Sequence, residues 1–158
     1  MRSREPWAGP SAHDPGSLDD LLQETWVLLT GAQVLTAFLI TVPFSSGFAR
    51  LVATERGVYG ATFLSALASL VLFTSVAAYH RLNWPLRDRP RFKRFATRVV
   101  VVGLFPLSLA LVLATHLVLQ PLFGTLWASL ATGLVGLLIG GLWWVLPLAS
   151  KLHRRSPT

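Results

Sequence analysis

The chain has 158 residues, of which 53% are hydrophobic and only 13% are charged. Its mean hydropathy of +0.55 is too high for an ordinary soluble domain of this length. The absence of cysteine excludes disulfides and thiolate metal sites. In so apolar a chain, the net charge of +7 is more typical of loops that face lipid headgroups than of a nucleic-acid-binding protein. We therefore expect an integral membrane protein with no nucleic-acid partner.

Four apolar stretches have about the length that a helix needs to cross a bilayer, which is roughly 20 residues. None of them alternates as a barrel strand would. The sequence predicts an all-α membrane protein whose four-transmembrane-helix bundle fills residues 18–150. A disordered tail at 1–17 precedes it and a basic tail at 151–158 follows it. The predicted spans are about 21–42, 58–79, 99–119 and 125–148.

A polar stripe marks the first predicted span. At 100° per residue, Asp20, Gln23, Thr30 and Thr41 fall within about 60° of one another, and Gln33 lies at the edge of the group. This pattern predicts that the stripe faces the inside of the bundle. It is open at this point whether the stripe forms hydrogen bonds between helices or lines a hydrated ion path.

An ion or proton path would need side chains that bind or relay a charge, and the spans offer only a few. Glu24 would form the cytoplasmic mouth of such a path, and histidines could relay protons. The same side chains also have structural alternatives, because His80 would anchor a helix end or pair with Glu24, and His116 would be a hydrogen-bonded packing residue. The candidates for a path are Glu24, Thr30, Gln33, His80 and His116.

Two outer connections are predicted between the spans. Phe44, Phe48, Leu51 and Val52 are spaced as on one face of a helix, which predicts a short interfacial helix between the first two spans. The segment LQPLFGTL, between the last two spans, has no charge and two turn-forming residues. It is predicted to be a tight turn.

Half of the 14 basic residues lie between Arg81 and Arg98. With four spans, this loop and both termini share one side of the membrane, which then holds twelve Lys and Arg residues against two on the other side. Because cytoplasmic loops carry the excess of Lys and Arg, both termini and this loop are predicted to be cytoplasmic.

The end of this basic loop has the pattern of an amphipathic helix that leads into the third span. Pro90 suits a first helical turn, and Phe92, Phe95 and Val99 recur at helical spacing with basic residues between them. Each basic residue near anionic headgroups contributes about 1 kcal/mol. The pattern fits nonspecific lipid contact, and also a specific site for cardiolipin, an acidic protein or a nucleotide. The predicted lipid-contacting residues are Arg87, Arg89, Arg91, Lys93, Arg94 and Arg98.

The fourth span carries a ridge of small residues, Thr132, Gly136 and Gly140, at four-residue spacing. Such a ridge lets a second helix pack closely, either from the same chain or from a second copy. The sequence holds no phosphate-binding glycine loop, metal-ligand cluster or nucleophile with a base. We therefore expect neither an enzyme nor a bound metal or other cofactor.

Three segments resemble a known family: LLQETWVLLTGAQVLTAFLITVPF at 21–44, FARL soon after it, and VAAYHRL at 76–82. The family comprises small four-span membrane proteins of unknown function that are widespread in actinobacteria, and the resemblance covers about residues 18–150. It implies a multi-pass protein of the bacterial plasma (inner) membrane. Members often carry an arginine and a second glutamine where this chain has Trp26 and Leu29, so its first span offers fewer polar groups for a path.

Two hypotheses of function follow from these observations. The first is a noncatalytic inner-membrane protein that acts as an oligomeric or accessory structural component, with a second copy or another membrane protein as its partner. The second is a small cation/proton antiporter or ion-conducting protein, because members of the resembling family are sometimes labelled sodium:proton antiporters. Coupled exchange of this kind normally uses a titratable carboxylate within the membrane, and Glu24 is the nearest candidate.

Overall fold

The structure is a computed structural model that describes residues 18–82 and 89–148. These residues are helical almost throughout, which confirms the all-α prediction for this part of the chain. The predicted tails at 1–17 and 151–158 lie outside the described residues. The helices are α1 (Leu18–Thr41), α2 (Ala53–Leu82) and α3 (Arg89–Ile139), and a π-helical turn at Gly140–Val145 continues α3.

Three helices of the described residues are long and apolar enough to cross a membrane, whereas the sequence predicted four separate spans. The first two match the first two predicted spans, and α3 contains all of the third and much of the fourth. The segment LQPLFGTL stays helical through Pro121, so the predicted turn is reduced to the single residue Gly124. Only Gly124 leaves the helical region, with φ 79° and ψ 169°, a conformation that glycine adopts without a clash from a Cβ.

The long helix α3 folds back on itself at Gly124. The rings of Phe105 and Trp144 lie 6.3 Å apart, and a methyl group on Gly136 would contact Cγ2 of Val112 at 3.9 Å. These partners lie at matched distances along the chain from the break, so the two arms run antiparallel. A straight helix of 51 residues would measure about 77 Å, against a hydrocarbon thickness of about 30 Å. We call the part before Gly124 the first arm and the part after it the second arm.

The core lies between α1, α2 and the first arm of α3, and small residues allow the helices to approach. Ala32, Ala66 and Ala110 are each 0% exposed. Gly103 lies against the ring of Phe73, where an added methyl group would come within 2.6 Å of a ring carbon. The absence of a side chain at Gly103 is therefore what makes room for the largest fully buried ring of the core.

Four hydroxyl side chains are buried between the helices: Thr25, Thr36, Thr62 and Ser69. Each of them donates a hydrogen bond of 2.7 Å to a carbonyl of its own helix, as Thr36 does to Ala32. A hydroxyl that is satisfied on its own backbone carries little penalty when it is buried. These residues therefore act as small packing residues and do not link one helix to another.

The connection between α1 and α2 consists of two 3₁₀ turns, Val42–Phe44 and Phe48–Arg50, and not of the single interfacial helix that the sequence predicted. The helix α2 begins at Ala53, earlier than the predicted span. This early start has a local cause, because the Glu55 carboxylate accepts a hydrogen bond from the Val52 N–H at 3.1 Å and caps the first turn.

The two ends of the molecule differ in character. We call the end with the α1–α2 connection the turn end, and Gln120 of α3 lies there because it is bonded to Glu55. We call the opposite end, where α2 ends at Leu82 and α3 begins at Arg89, the basic end. These two ends correspond to the predicted outer and cytoplasmic sides.

Candidate functional site

The inward face of α1 is not the face that the sequence predicted. The buried residues of this helix are Thr25, Ala32, Thr36 and Leu39, whereas the polar residues Gln23, Thr30, Gln33 and Thr41 are exposed. At 100° per residue, Gln23, Thr30 and Thr41 point about 150–170° away from the centre of the buried face, and Gln33 points about 90° away from it. The prediction that the stripe turns inward is therefore wrong. We call these four exposed residues the outward polar stripe.

Within the outward polar stripe, Gln33 differs from the two threonines. The Thr30 hydroxyl donates to the Trp26 carbonyl at 2.9 Å, and the Thr41 hydroxyl donates to the Phe38 carbonyl at 2.7 Å. The Gln33 amide forms no hydrogen bond within the described residues. Its position is close to the middle of the apolar segment Asp20–Phe44, where no water would reach it in a bilayer.

An unsatisfied amide in hydrocarbon is costly. Moving such a group from water into an apolar medium costs about 2–7 kcal/mol when nothing compensates its hydrogen bonds. The neighbouring side chains Trp26 and Val34 are each 68% exposed, so the described part of the chain does not shield this surface. In a membrane, a hydrogen-bonding partner for Gln33 would have to come from outside the described residues.

The predicted path residues are not brought together by the fold. Glu24, Thr30 and Gln33 are exposed on α1, and the ring of His80 lies at the basic end, 5.6 Å from the ring of Phe92. His116 lies toward the turn end, in the cavity that also borders Gln120. The 24 residues of α3 from Phe92 to His116 correspond to about 36 Å of helix. The two histidines are therefore far apart, and no continuous path joins the five residues within one chain.

A cavity of about 250 Å³, lined by both apolar and polar side chains, lies at the turn end. Glu55 is held there by two hydrogen bonds, one from the Val52 N–H to Oε2 and one from Gln120 Nε2 to Oε1, each 3.1 Å long. His116 and Thr54 border the same cavity. The fold thus places a carboxylate and an imidazole at one cavity, although 60 residues separate them in sequence.

Sequence reasoning missed this cavity because Glu55 was assigned to a loop and His116 to a span without an acidic partner. One local signal was present, since a glutamate three residues after the start of a helix often reaches back to the first free N–H. That signal predicts the helix start at Val52. It does not predict the bond to Gln120, which depends on tertiary packing.

The predicted amphipathic helix at the basic end is confirmed for the described residues. Phe92, Ala96 and Val100 are at most 4% exposed and pack with Val76 of α2. The predicted lipid-contacting residues Arg91, Lys93, Arg94 and Arg98 are exposed, whereas Arg87 and the side chain of Arg89 lie outside the described residues.

A groove with a volume of about 330 Å³ lies on this helix, and Arg91, Arg94, Phe95 and Arg98 line it. The Phe95 ring also packs on Tyr79, with ring centroids 4.6 Å apart. We call this surface the basic groove.

The small-residue ridge Thr132, Gly136 and Gly140 is half-buried. Gly136 lies beside Val112 of the first arm, which places part of the ridge in the contact within the same chain. The Thr132 hydroxyl oxygen is buried and has no hydrogen-bond partner in the described residues. Packing by a second copy at this ridge stays a prediction.

The described residues 18–82 and 89–148 contain no group of three His, Asp or Glu side chains placed to hold a metal ion. A comparison with protein families matches residues 16–147 to a family described as a family of unknown function (DUF6328). No curated protein and no solved structure matches the chain. The resemblance to an uncharacterised family is thereby confirmed, while the actinobacterial origin and the antiporter label stay predictions.

Proposed function

We propose that this chain, which belongs to the family of unknown function DUF6328, is a noncatalytic multi-pass membrane protein that assembles with a second copy through the outward polar stripe. It would act as an oligomeric structural component of a bacterial inner membrane, with both termini and the basic end on the cytoplasmic side. The observation that carries this proposal is the exposed amide of Gln33 in the middle of an apolar helix, which has no hydrogen-bond partner among the described residues.

The surface of the three helices supports a membrane location. Large apolar side chains are exposed on every helix, among them Val34 at 68%, Leu64 at 64% and Leu137 at 76%. Monomeric soluble proteins rarely expose continuous apolar patches above a few hundred Å². Contact with acyl chains would avoid the unfavourable exposure of this apolar surface to water.

The chemistry of Gln33 favours a second copy of the chain as its partner. An amide has both donors and acceptors, so two Gln33 side chains related by a twofold axis can pair with each other. Thr30 and Ala37 lie on the same exposed side of α1, and small residues let two helix backbones approach closely. Hydrogen bonds of this kind stabilise helix pairs in membranes by about 0.6–2 kcal/mol each.

The absence of cysteine from the chain makes disulfide crosslinking a clean test. A single Ala37→Cys variant, which keeps Gln33, is oxidised in native membranes, and the yield of covalent dimer is compared with that of Val71→Cys. Val71 is a matched control because it is 61% exposed on α2 and lies two residues from Phe73, which packs with Ala32 of α1.

We expect a covalent dimer from Ala37→Cys and little or none from Val71→Cys. Equal yields from both variants would indicate random collision in the membrane and would refute the proposal. An Ala37→Cys product that joins the chain to a different protein would also refute self-assembly and would support an accessory role.

The second candidate function, a small cation/proton antiporter or ion-conducting protein, is favoured by the cavity at the turn end and not by Glu24. Glu55 and His116 border this cavity together, which supplies the titratable carboxylate that coupled exchange requires. The test measures collapse of a pH gradient in proteoliposomes on addition of Na⁺, K⁺ or Li⁺.

Cation-dependent collapse that Glu55→Gln abolishes and Glu24→Gln preserves would support transport through this cavity. The absence of collapse in sealed vesicles that contain the wild-type protein would remove the second candidate and leave the structural one.

A further inference from the structure

The exposed side of α3 is cationic near the start of the helix and apolar further along the same side. Its first part is the basic groove, and its second part is an apolar strip formed by Val102, Phe105 and Leu109, which are 57%, 66% and 43% exposed. At 100° per residue, Arg98 and these three residues lie within about 40° of the direction of Arg91. The groove and the strip therefore form one continuous amphiphilic surface.

We propose that this surface is a specific binding site for one anionic phospholipid, with the phosphate in the basic groove and an acyl chain along the apolar strip. The site rests on the membrane location given under the proposed function. It does not depend on pairing through α1, because it lies on a different helix.

The headgroup part of the site has the chemistry of a phosphate receptor. Three guanidinium groups line one groove of about 330 Å³, so the N–H donors of three side chains border the same space. Arginine binds phosphate oxygens through paired N–H donors in a fixed planar geometry. The packing of Phe95 on Tyr79 fixes the helix turn that carries Arg94 and Arg98.

The apolar part decides between a lipid and a free phosphate ion. The helix rises about 16 Å from Arg98 to Leu109, which is close to half of the hydrocarbon thickness of about 30 Å. One leaflet of a bilayer thus matches the strip in length. A soluble phosphate would leave this strip unused, whereas a phospholipid covers both parts.

Native mass spectrometry of the full chain in a mild detergent tests the site. The protein is titrated with phosphatidylglycerol, with phosphatidylcholine of the same acyl chains, and with inorganic phosphate. The matched variants are Arg94→Gln and Lys93→Gln, which remove the same charge. Arg94 lines the groove, whereas Lys93 points about 160° away from Arg91. Phe105→Ala tests the apolar strip.

We expect Arg94→Gln to raise the Kd for phosphatidylglycerol about fivefold to tenfold and Lys93→Gln to leave it within about twofold. Phe105→Ala is expected to weaken phosphatidylglycerol binding but not inorganic phosphate binding. Equal effects of Arg94→Gln and Lys93→Gln would overturn the proposal in favour of a diffuse charge effect. An unchanged lipid Kd in Phe105→Ala would overturn the lipid in favour of a free anion.

Failure of this site and failure of the proposed function give different results. A chain that stays soluble without detergent would refute the membrane location. A chain that needs detergent but binds both lipids equally would refute the lipid site alone. The same spectra give the number of chains in each complex, so pairing through α1 is tested separately.

Discussion

Both faces of α1 carry polar atoms, but the two faces differ in whether these atoms have hydrogen-bond partners. On the inner face, Thr25 and Thr36 are buried, and each hydroxyl donates to a carbonyl of its own helix at 2.7 Å. On the outer face, Gln33 is exposed and its amide has no partner in the described residues. The inner face of an apolar helix is thus determined by side-chain size and by local hydrogen bonding, and polarity alone does not identify it.

The largest effect is expected when a long amide is placed on the inner face. Thr36→Gln would overfill a packed site and bury an amide without a partner, and together these changes should lower the free energy of unfolding by about 3 kcal/mol. Thr30→Gln makes the same change on the outer face and should lower the free energy of unfolding by clearly less than Thr36→Gln, because it overfills no packed site. Thermal unfolding in detergent, followed by circular dichroism, measures both variants. Equal midpoints would contradict the assignment of the two faces.

A methyl group at Gly103 is expected to have the next largest effect. Gly103→Ala would place a carbon within 2.6 Å of the Phe73 ring, and overpacking of this kind lowers the free energy of unfolding by about 1–3 kcal/mol. The control is Gly133→Ala, because Gly133 is exposed and has nothing within 4 Å of its added carbon. In that variant the free energy of unfolding should rise by about 0.5–1 kcal/mol, because alanine favours the helix more than glycine does. Effects of the same sign in both variants would refute the proposed close contact.

Removal of the amide on the outer face should act on assembly and not on folding. Gln33→Leu is expected to weaken dimerisation about fivefold, which corresponds to about 1 kcal/mol, and to leave the unfolding of the monomer unchanged. Energy transfer between labelled chains in liposomes measures the dimer fraction. Val71→Leu serves as the control. Unchanged dimerisation in Gln33→Leu would show that the outward polar stripe is not the interface.

The smallest effect is expected for the carboxylate at the turn end. Glu55→Ala removes the acceptor of two hydrogen bonds and should lower the free energy of unfolding by about 0.5–1.5 kcal/mol. Glu24→Ala, on an exposed part of α1, should change it by less than about 0.5 kcal/mol. Hydrogen exchange of the first turn of α2 measures the local effect. Unchanged exchange there in Glu55→Ala would contradict its role as a cap.

Some features of the fold are predictable because they depend on local patterns. The long apolar runs predict helices by length alone, and the alternation of Phe92, Phe95 and Val99 with basic residues predicts which face of the start of α3 is buried. Both predictions agree with the described structure. In each case the pattern of apolar and polar residues is already clear within a few helical turns of sequence.

Other features depend on information that one segment does not hold. Leucine, valine and alanine occur all around α1, so its inward face is selected by packing with Phe73 and Leu107. The helix α3 continues through Pro121 and is interrupted by the conformation of a single residue, Gly124. The bond from Gln120 to Glu55 joins residues 65 apart, and no local pattern predicts such a pair.

The distance between two copies of α1 tests the central claim most directly. A nitroxide label at Thr30→Cys, in protein reconstituted into liposomes at low density, reports intermolecular distances by electron paramagnetic resonance. We predict a short and narrow distance distribution, as expected for helices packed about 8–10 Å apart, and only long, broad distances from a label at Val71→Cys. Broad distances from both labels, or a shorter distance from Val71→Cys, would contradict assembly through the outward polar stripe.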